Sequence, residues 1–365
     1  MDRQYERPTI QRAGGYVPGE QPDEDNVIKL NTNENPYPPS PTLAEVLSDF
    51  DVARLRRYPQ PTALSFRNEA ARLHDVPVDS VVATNGGDEL LRLVFATFVE
   101  PGEKIGYANP SYSLYPVLAE LHGAEIFNVD LTEDWRLPED FAGQMNRAGV
   151  KVAFVVNPHA PSGALLPSDE IARLADALDG VLLLDEAYVD FVDPETGYNA
   201  LPLIQANENI IILRSLSKGY SLAGLRYGYG IGSPGLIAPM QNKTKDSYNT
   251  DVLSQLLATA ALADQDYAAE TWRRVRAERE TLRNALRERG FEVEPSHSNF
   301  LLARIAPGGE LPAASEIYNM LKDEGILVRY FGSDPRLVDC LRISIGTPEE
   351  NIRLLTSLDA MAKGA

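Results

Sequence analysis

The chain has 365 residues and a formal charge of −19, from 34 Lys or Arg against 53 Asp or Glu. That balance excludes nucleic acid and anionic membrane as natural partners, and an anionic ligand needs a local basic cluster to bind at all. A hydrophobic fraction of 44% with 24% charged residues is that of an ordinary globular protein, and no apolar run reaches the length of a membrane span.

The length suits two unequal domains rather than one core. One cysteine, Cys340, excludes an internal disulfide and fits a reducing cytoplasm; in the run VDCLRISIG it reads as a buried small hydrophobe. Four scattered histidines (His74, His122, His159, His297) give no metal-ligand spacing. The charged start MDRQYERPTIQR lacks the apolar stretch of a signal peptide.

Residues 1–41 are Pro- and Asn-rich, and their X-Pro steps predict an extended arm lying on a folded surface, with disorder as the alternative. A helix is expected over Leu43–Leu55 and another over Leu64–His74. Strand-like runs then alternate with helical lengths: 80–85, 103–110, 124–131, 150–158, 181–188 and 209–215. Several are continuous Val/Ile/Leu runs, the mark of strands buried on both faces of a mainly parallel α/β sheet. From residue 251 the pattern turns to long helices and then a small α+β unit. The expected division is an arm (1–41), a large domain (42–250), and a long interdomain helix with a small C-terminal domain (251–365).

The stretch 210–232, IIILRSLSKGYSLAGLRYGYGIG, concentrates the chemistry. A buried strand ends at Arg214-Ser215-Leu216-Ser217-Lys218, and Arg226 follows eight positions on. A lysine amine becomes a nucleophile when burial or a nearby cation lowers its pKa. Serine hydroxyls and a guanidinium suit a phosphate monoester. Lysine for a carbonyl, with Ser215, Ser217 and Arg226 for a phosphate, describes pyridoxal 5'-phosphate (PLP). Other strand ends carry matching groups, where α/β sheets gather ligands. Gly86-Gly87 opens a helix whose free N–H groups can cradle a phosphate. Asp185 follows four apolar residues and needs a cation, either a protonated pyridine nitrogen or a structural Arg or Lys. Asn157 and Tyr188 can hydrogen-bond a ring hydroxyl, and Tyr112 can stack on a flat ring.

The motifs GGDE, NPSY, NPHAPSG, DEAY, SLSKGYSLAGLR and CLRISIGT resemble, in order and spacing, those of fold-type I PLP-dependent aminotransferases. The arm (LNTNENP, RYPQP) and the tail (GILVRYF, LRISIGT) are most similar to histidinol-phosphate aminotransferases, over roughly residues 10–360. The resemblance implies the PLP-transferase fold: a large domain with a mainly parallel sheet between helices, and a smaller α+β domain. It implies a cytoplasmic enzyme passing the amino group of L-histidinol phosphate to 2-oxoglutarate in histidine biosynthesis. Aromatic amino-acid aminotransferases and threonine-phosphate decarboxylases are close relatives and stay open as alternatives.

Carried over by position, the resemblance implies that Lys218 makes the covalent link to the cofactor and then moves protons. Asp185 pairs with the pyridine nitrogen, Asn157 and Tyr188 hold the ring hydroxyl, and Tyr112 stacks on the ring. Gly87, the Asp88 backbone, Ser215, Ser217 and Arg226 bind the cofactor phosphate. Tyr58 serves the neighbouring subunit's cofactor, which implies a homodimer with shared active sites. Arg342 binds the anionic end of the substrate, with Arg329, Tyr16 and Asn33 nearby. One departure is visible: relatives read Asn-Pro-Asn-Asn-Pro-Thr-Gly where this chain has His159 and Ala160, which bears on turn geometry and substrate fit.

Overall fold

The computed structural model describes residues 5–22, 26–306, 308 and 311–364. Positions 1–4 and 23–25 of the expected arm, and 365 at the expected C-terminal end, lie outside the described residues. The arm contributes a two-residue strand, β1 (Ile28–Lys29). The expected runs then become β2 (Val81–Thr84), β3 (Lys104–Asn109), β4 (Glu125–Asp130), β5 (Val150–Val156), β6 (Val181–Asp185) and β7 (Ile210–Ser215), joined by β8 (Gly228–Gly232). These seven form one sheet in the order β2-β8-β7-β6-β5-β3-β4, and only β8 runs against its neighbours. The central β6 and β7 are almost wholly buried because helices cover both faces, which is why their sequences are unbroken Val/Ile/Leu.

Gly228 shows how tightly the layers meet. A Cβ there would lie 2.8 Å from the Gly86 carbonyl carbon and 2.9 Å from the Gly87 nitrogen. Only glycine lets the start of the helix Gly86–Phe98 press onto β8, and that contact aims the free N–H groups of the helix at the sheet's carboxyl end.

Past residue 250 the helix Val252–Ala263 packs on the helices Thr42–Ser48 and Leu64–His74, and Leu257, Ala258, Ala261 and Leu262 join the core of the seven-stranded unit. The long helix Gln265–Glu288 then leads to a second unit. This holds β9 (Phe291–Val293), β10 (Phe300–Ile305), β11 (Ile326–Leu327), β12 (Arg329–Tyr330) and β13 (Cys340–Ser344). Four of them form an antiparallel sheet in the order β12-β13-β10-β9, and β11 pairs in parallel with β1 of the arm. Leu30 and Tyr37 are buried in the same core as Val328, Leu341 and Leu354, so this part of the arm belongs to the second unit.

Two local expectations are corrected. Residues Pro8–Arg12 form a short helix where an extended arm was expected, because Pro8 occupies the first turn, where its missing N–H costs nothing. The Arg7 side chain reaches the Leu121 carbonyl at 3.4 Å, which places this end on the seven-stranded unit. The helix expected over 43–55 breaks after Ser48, since the Asp51 carboxylate takes the Ala53 N–H at 2.9 Å and starts a separate short turn, Val52–Arg56. Among the described residues no helix is long and apolar enough to cross a membrane.

Candidate active site

A cavity of about 430 Å³ opens at the carboxyl ends of β2, β6 and β7, and the second unit closes its far wall. Lys218 stands just beyond β7. Its Nζ donates to the Thr32 carbonyl at 2.7 Å, and no carboxylate pairs with it among the described residues. Burial, reinforced by the positive charge of Arg342, pushes the amine down to about 8. The loop that follows holds Ser221 at φ +59° and Arg226 at φ +58°. Such left-handed values in non-glycine residues persist only where the surroundings enforce them.

Arg226 gathers the phosphate-type groups. Its guanidinium lies 3.4 Å from Ser217 Oγ and 3.5 Å from Asp88 Oδ2, and a Cβ on Gly86 would strike it at 2.8 Å. Ser217 N donates to Ser215 Oγ at 3.1 Å. Ser215, Ser217, Arg226 and the start of the helix Gly86–Phe98 thus face one corner of the cavity, with Gly87 and Asp88 in its wall. Hydroxyls, a cation and a helix N-terminus together make an anion cradle.

Asp185 ends β6. Its carboxylate accepts from Tyr115 Oη at 2.9 Å and from Ala187 N at 3.1 Å, but no cation pairs with it among the described residues. Burial raises it to about 6. An unpaired buried carboxylate in a cavity wall is stabilised by a ligand that brings a positive charge or a proton. Tyr188 accepts from Asn33 Nδ2 at 3.0 Å and stands edge-on to Phe300. Asn33, itself at φ +55°, is fixed by Ser344 Oγ, which donates to its Oδ1 at 3.1 Å. The Tyr112 hydroxyl donates to Asp88 Oδ1 at 3.2 Å, and its ring meets Tyr16 edge-on at 6.1 Å.

On the far wall, Arg329 of β12 is the direct cross-strand neighbour of Arg342 of β13. Like charges opposite one another destabilise a sheet unless an anion lies between them. Neither arginine has a carboxylate partner among the described residues. Arg342 donates to the Asn31 carbonyl at 3.1 Å, its Nε is buried without a partner, and its guanidinium lies over Phe300 and Phe331. Burial, and Arg329 beside it, hold its pKa below the ordinary value.

Lys218, Asp185, Tyr188, Gly87, Asp88, Tyr112, Ser215, Ser217, Arg226, Arg342, Arg329, Tyr16 and Asn33 therefore meet around one space. Asn157 and Tyr58 are not in its lining, and Tyr58 is expected to serve a neighbouring subunit instead. Asn157 is fully buried, and its amide is closed on a backbone turn: Nδ2 donates to Leu166 O at 3.0 Å and Leu166 N donates to Oδ1 at 2.8 Å. Each end of the amide is thus engaged once by the turn, and Asn157 is not in the lining of the cavity. Ala160 lines the cavity from the same turn instead. Tyr58 is 80% exposed, stacked on Tyr248 at 4.4 Å, and away from the cavity of its own chain.

His159, the departure in the same turn, is buried and neutral, lowered to about 4 by burial. Its ring nitrogens bond Ser162 Oγ at 2.7 Å and the Pro110 carbonyl at 2.9 Å, which ties the turn to the loop bearing Tyr112. Sequence reasoning missed Tyr115 and the Thr32 carbonyl. Tyr115 looks like one more apolar helix position, and a backbone acceptor leaves no mark in a sequence.

Comparisons with known proteins agree with this geometry. The family model "Aminotransferase class I and II" matches residues 25–358. Histidinol-phosphate aminotransferase 1 of Trichormus variabilis is 43% identical over 355 residues, 97% of this chain and 98% of the relative. The histidinol-phosphate aminotransferase of Syntrophotalea carbinolica is 42% identical, over 96% of this chain and 98% of its own. Among solved structures, that of histidinol-phosphate aminotransferase from Sinorhizobium meliloti in complex with pyridoxal-5'-phosphate superposes with a TM-score of 0.88 at 25% identity, covering 99% and 98% of the two chains. The chain belongs to the class I and II aminotransferase family and, within it, to the histidinol-phosphate aminotransferases.

Proposed function

We propose that the protein transfers the amino group of L-histidinol phosphate to 2-oxoglutarate, giving imidazole acetol phosphate and L-glutamate, with PLP held in the cavity. One observation carries the reading: a buried amine of lowered pKa faces two adjacent arginines without carboxylate partners across a single space. The residues fit the cofactor. The cradle at Ser215, Ser217, Arg226 and the start of the helix Gly86–Phe98 suits its phosphate, and the unpaired Asp185 suits its ring nitrogen. When bound, PLP supplies a carbonyl for the amine and an electron-withdrawing ring.

The chain's own groups then have distinct work. Lys218 provides the amine and afterwards carries a proton to and from the substrate carbon, which a group near neutrality does best. Asp185 keeps the proton on the ring nitrogen, and Tyr115 and Ala187 N hold its two oxygens in place. Tyr188, set by Asn33, takes the ring hydroxyl, while Tyr112 covers the ring. Arg342 and Arg329 take the phosphate of the donor and the carboxylate of the acceptor in turn, because a guanidinium fork serves both anions. Tyr16 borders this site from the arm. The exposed Tyr58 serves the cofactor of a second copy, so the working form is a homodimer with shared sites, and we place it in the cytoplasm.

A donor panel with 2-oxoglutarate tests the reading. Histidinol phosphate is expected to give the highest kcat/KM. A preference for phenylalanine would make the enzyme an aromatic aminotransferase, and carbon dioxide release from phosphothreonine a decarboxylase.

A further inference from the structure

Between β4 and β5 the chain makes a tight turn. Thr132 N donates to Arg136 O at 2.9 Å, Trp135 N to Thr132 O at 3.0 Å, and Thr132 Oγ1 to Asp134 Oδ1 at 2.6 Å. The turn holds Trp135 at φ +63°, a value that a bulky residue adopts only under constraint. Trp135 stacks on His159 of its own unit at 5.9 Å and packs on that unit's core, and the second unit holds it from the other side. Arg336 lies 3.9 Å from the centre of the Trp135 ring and donates to the carbonyls of Leu131 (2.8 Å), Thr132 and Glu133 (3.3 Å). Trp135 itself packs against the cluster of Leu302, Leu337 and Cys340, which also belongs to the second unit.

The gripped loop reaches the anion site. Phe331 packs against the same small cluster as Trp135, and both arginines lie over its ring, Arg329 at 5.7 Å and Arg342 at 5.5 Å. Two consecutive turns stiffen the span between: Asp334 N donates to Phe331 O and Leu337 N to Asp334 O, each at 3.0 Å. Asp334 Oδ1 accepts from Arg336 N at 2.9 Å. A rigid loop thus has the grip at one end and the ring beneath both guanidinium groups at the other.

We infer that Trp135 is a positioning residue for the substrate's anion: held by Arg336, it fixes Phe331 and through it Arg329 and Arg342. The inference rests on reading those arginines as the anion site. A Trp135 that served packing alone would lower Tm when removed and leave anion binding unchanged.

The test uses the holoenzyme, with KM for histidinol phosphate and 2-oxoglutarate and the Ki of inorganic phosphate as readouts. In W135A all three rise about tenfold while kcat stays within about threefold, because Trp135 lines no part of the cavity that holds Lys218 and Asp185. R336Q shows a smaller rise of the same kind. W135F recovers most of the loss, since a ring remains under the guanidinium, and the absorbance of the bound cofactor is unchanged throughout. KM and Ki within twofold of wild type in both W135A and R336Q, with R342A raising them, overturn the inference alone. If W135A does not fold, R336Q decides by the same criterion. If R342A leaves KM and Ki unmoved, the anion-site reading has failed and the inference falls with it.

Discussion

Lys218 Nζ donates to the carbonyl of Thr32, a residue 186 positions earlier in the chain, at 2.7 Å. The arm thereby reaches the amine through a neutral carbonyl, while its Glu34, which acts to raise the amine's pKa, is offset by burial and Arg342. Burial and then Arg342 outweigh Glu34 and lower the pKa to about 8. The sign follows directly: a lowered lysine pKa means the reactive neutral amine becomes the major form above about 8, not above the ordinary lysine value. The rate at which protein stripped of cofactor recombines with PLP is expected to climb about tenfold per pH unit below that point and to level off above it. A rate still climbing near the ordinary lysine value would contradict the buried setting.

Asp185→Asn is expected to retain the cofactor and lose about 10²–10³ in kcat, the usual scale for one preorganised electrostatic group. Tyr115→Phe removes only the hydroxyl that orients Oδ2, so its loss is expected to be roughly tenfold or less. Comparing kcat and cofactor content in the two mutants checks both. Near-normal kcat in Asp185→Asn would make the aspartate structural.

Arg342→Ala is expected to damage both half-reactions by about 2–4 kcal/mol in kcat/KM, since each places an anion on the same fork. Arg342→Lys recovers part of this, because an ammonium cannot present two parallel N–H groups. Thermal melting of the unliganded protein gives a second reading. A buried guanidinium opposite Arg329, with its Nε unpartnered, is built for a ligand rather than for the fold, so its removal is expected not to lower Tm. A mutant impaired only with histidinol phosphate would mean that the two anions use separate sites.

Tyr58, exposed and stacked on Tyr248, tests the shared dimer. Lys218→Ala subunits are expected to be inactive, and Tyr58→Ala subunits nearly so at limiting PLP. Mixed in equal amounts and reassorted, about half the dimers are mixed and each holds one intact site, so about a quarter of wild-type activity returns. Verified reassortment without activity would place Tyr58 in its own subunit's chemistry.

Much of this was legible because the signals were local. The Val/Ile/Leu runs marked β5, β6 and β7, and a polar residue at the carboxyl end of such a run has few places to go but the ligand crevice. Lys218 and Asp185 were read in that way, and Arg226 from its place in the loop that follows Lys218. Asn157 sits at an equally suggestive strand end, and its amide also closes the turn at Leu166, a bond that no sequence pattern foretells. Tyr115 and Trp135 act through contacts made by tertiary packing: one with Asp185, 70 positions away, the other with Arg336 of the second unit. Long-range partners of this kind have no periodicity to betray them.

Lys218 is the amine around which the cavity is arranged. Borohydride reduction of the PLP-loaded protein, followed by peptide mapping, tests it most directly. The pyridoxyl group is expected on Lys218 alone, with no labelling in Lys218→Ala. Label on another lysine of the wild-type protein, or none, would contradict it.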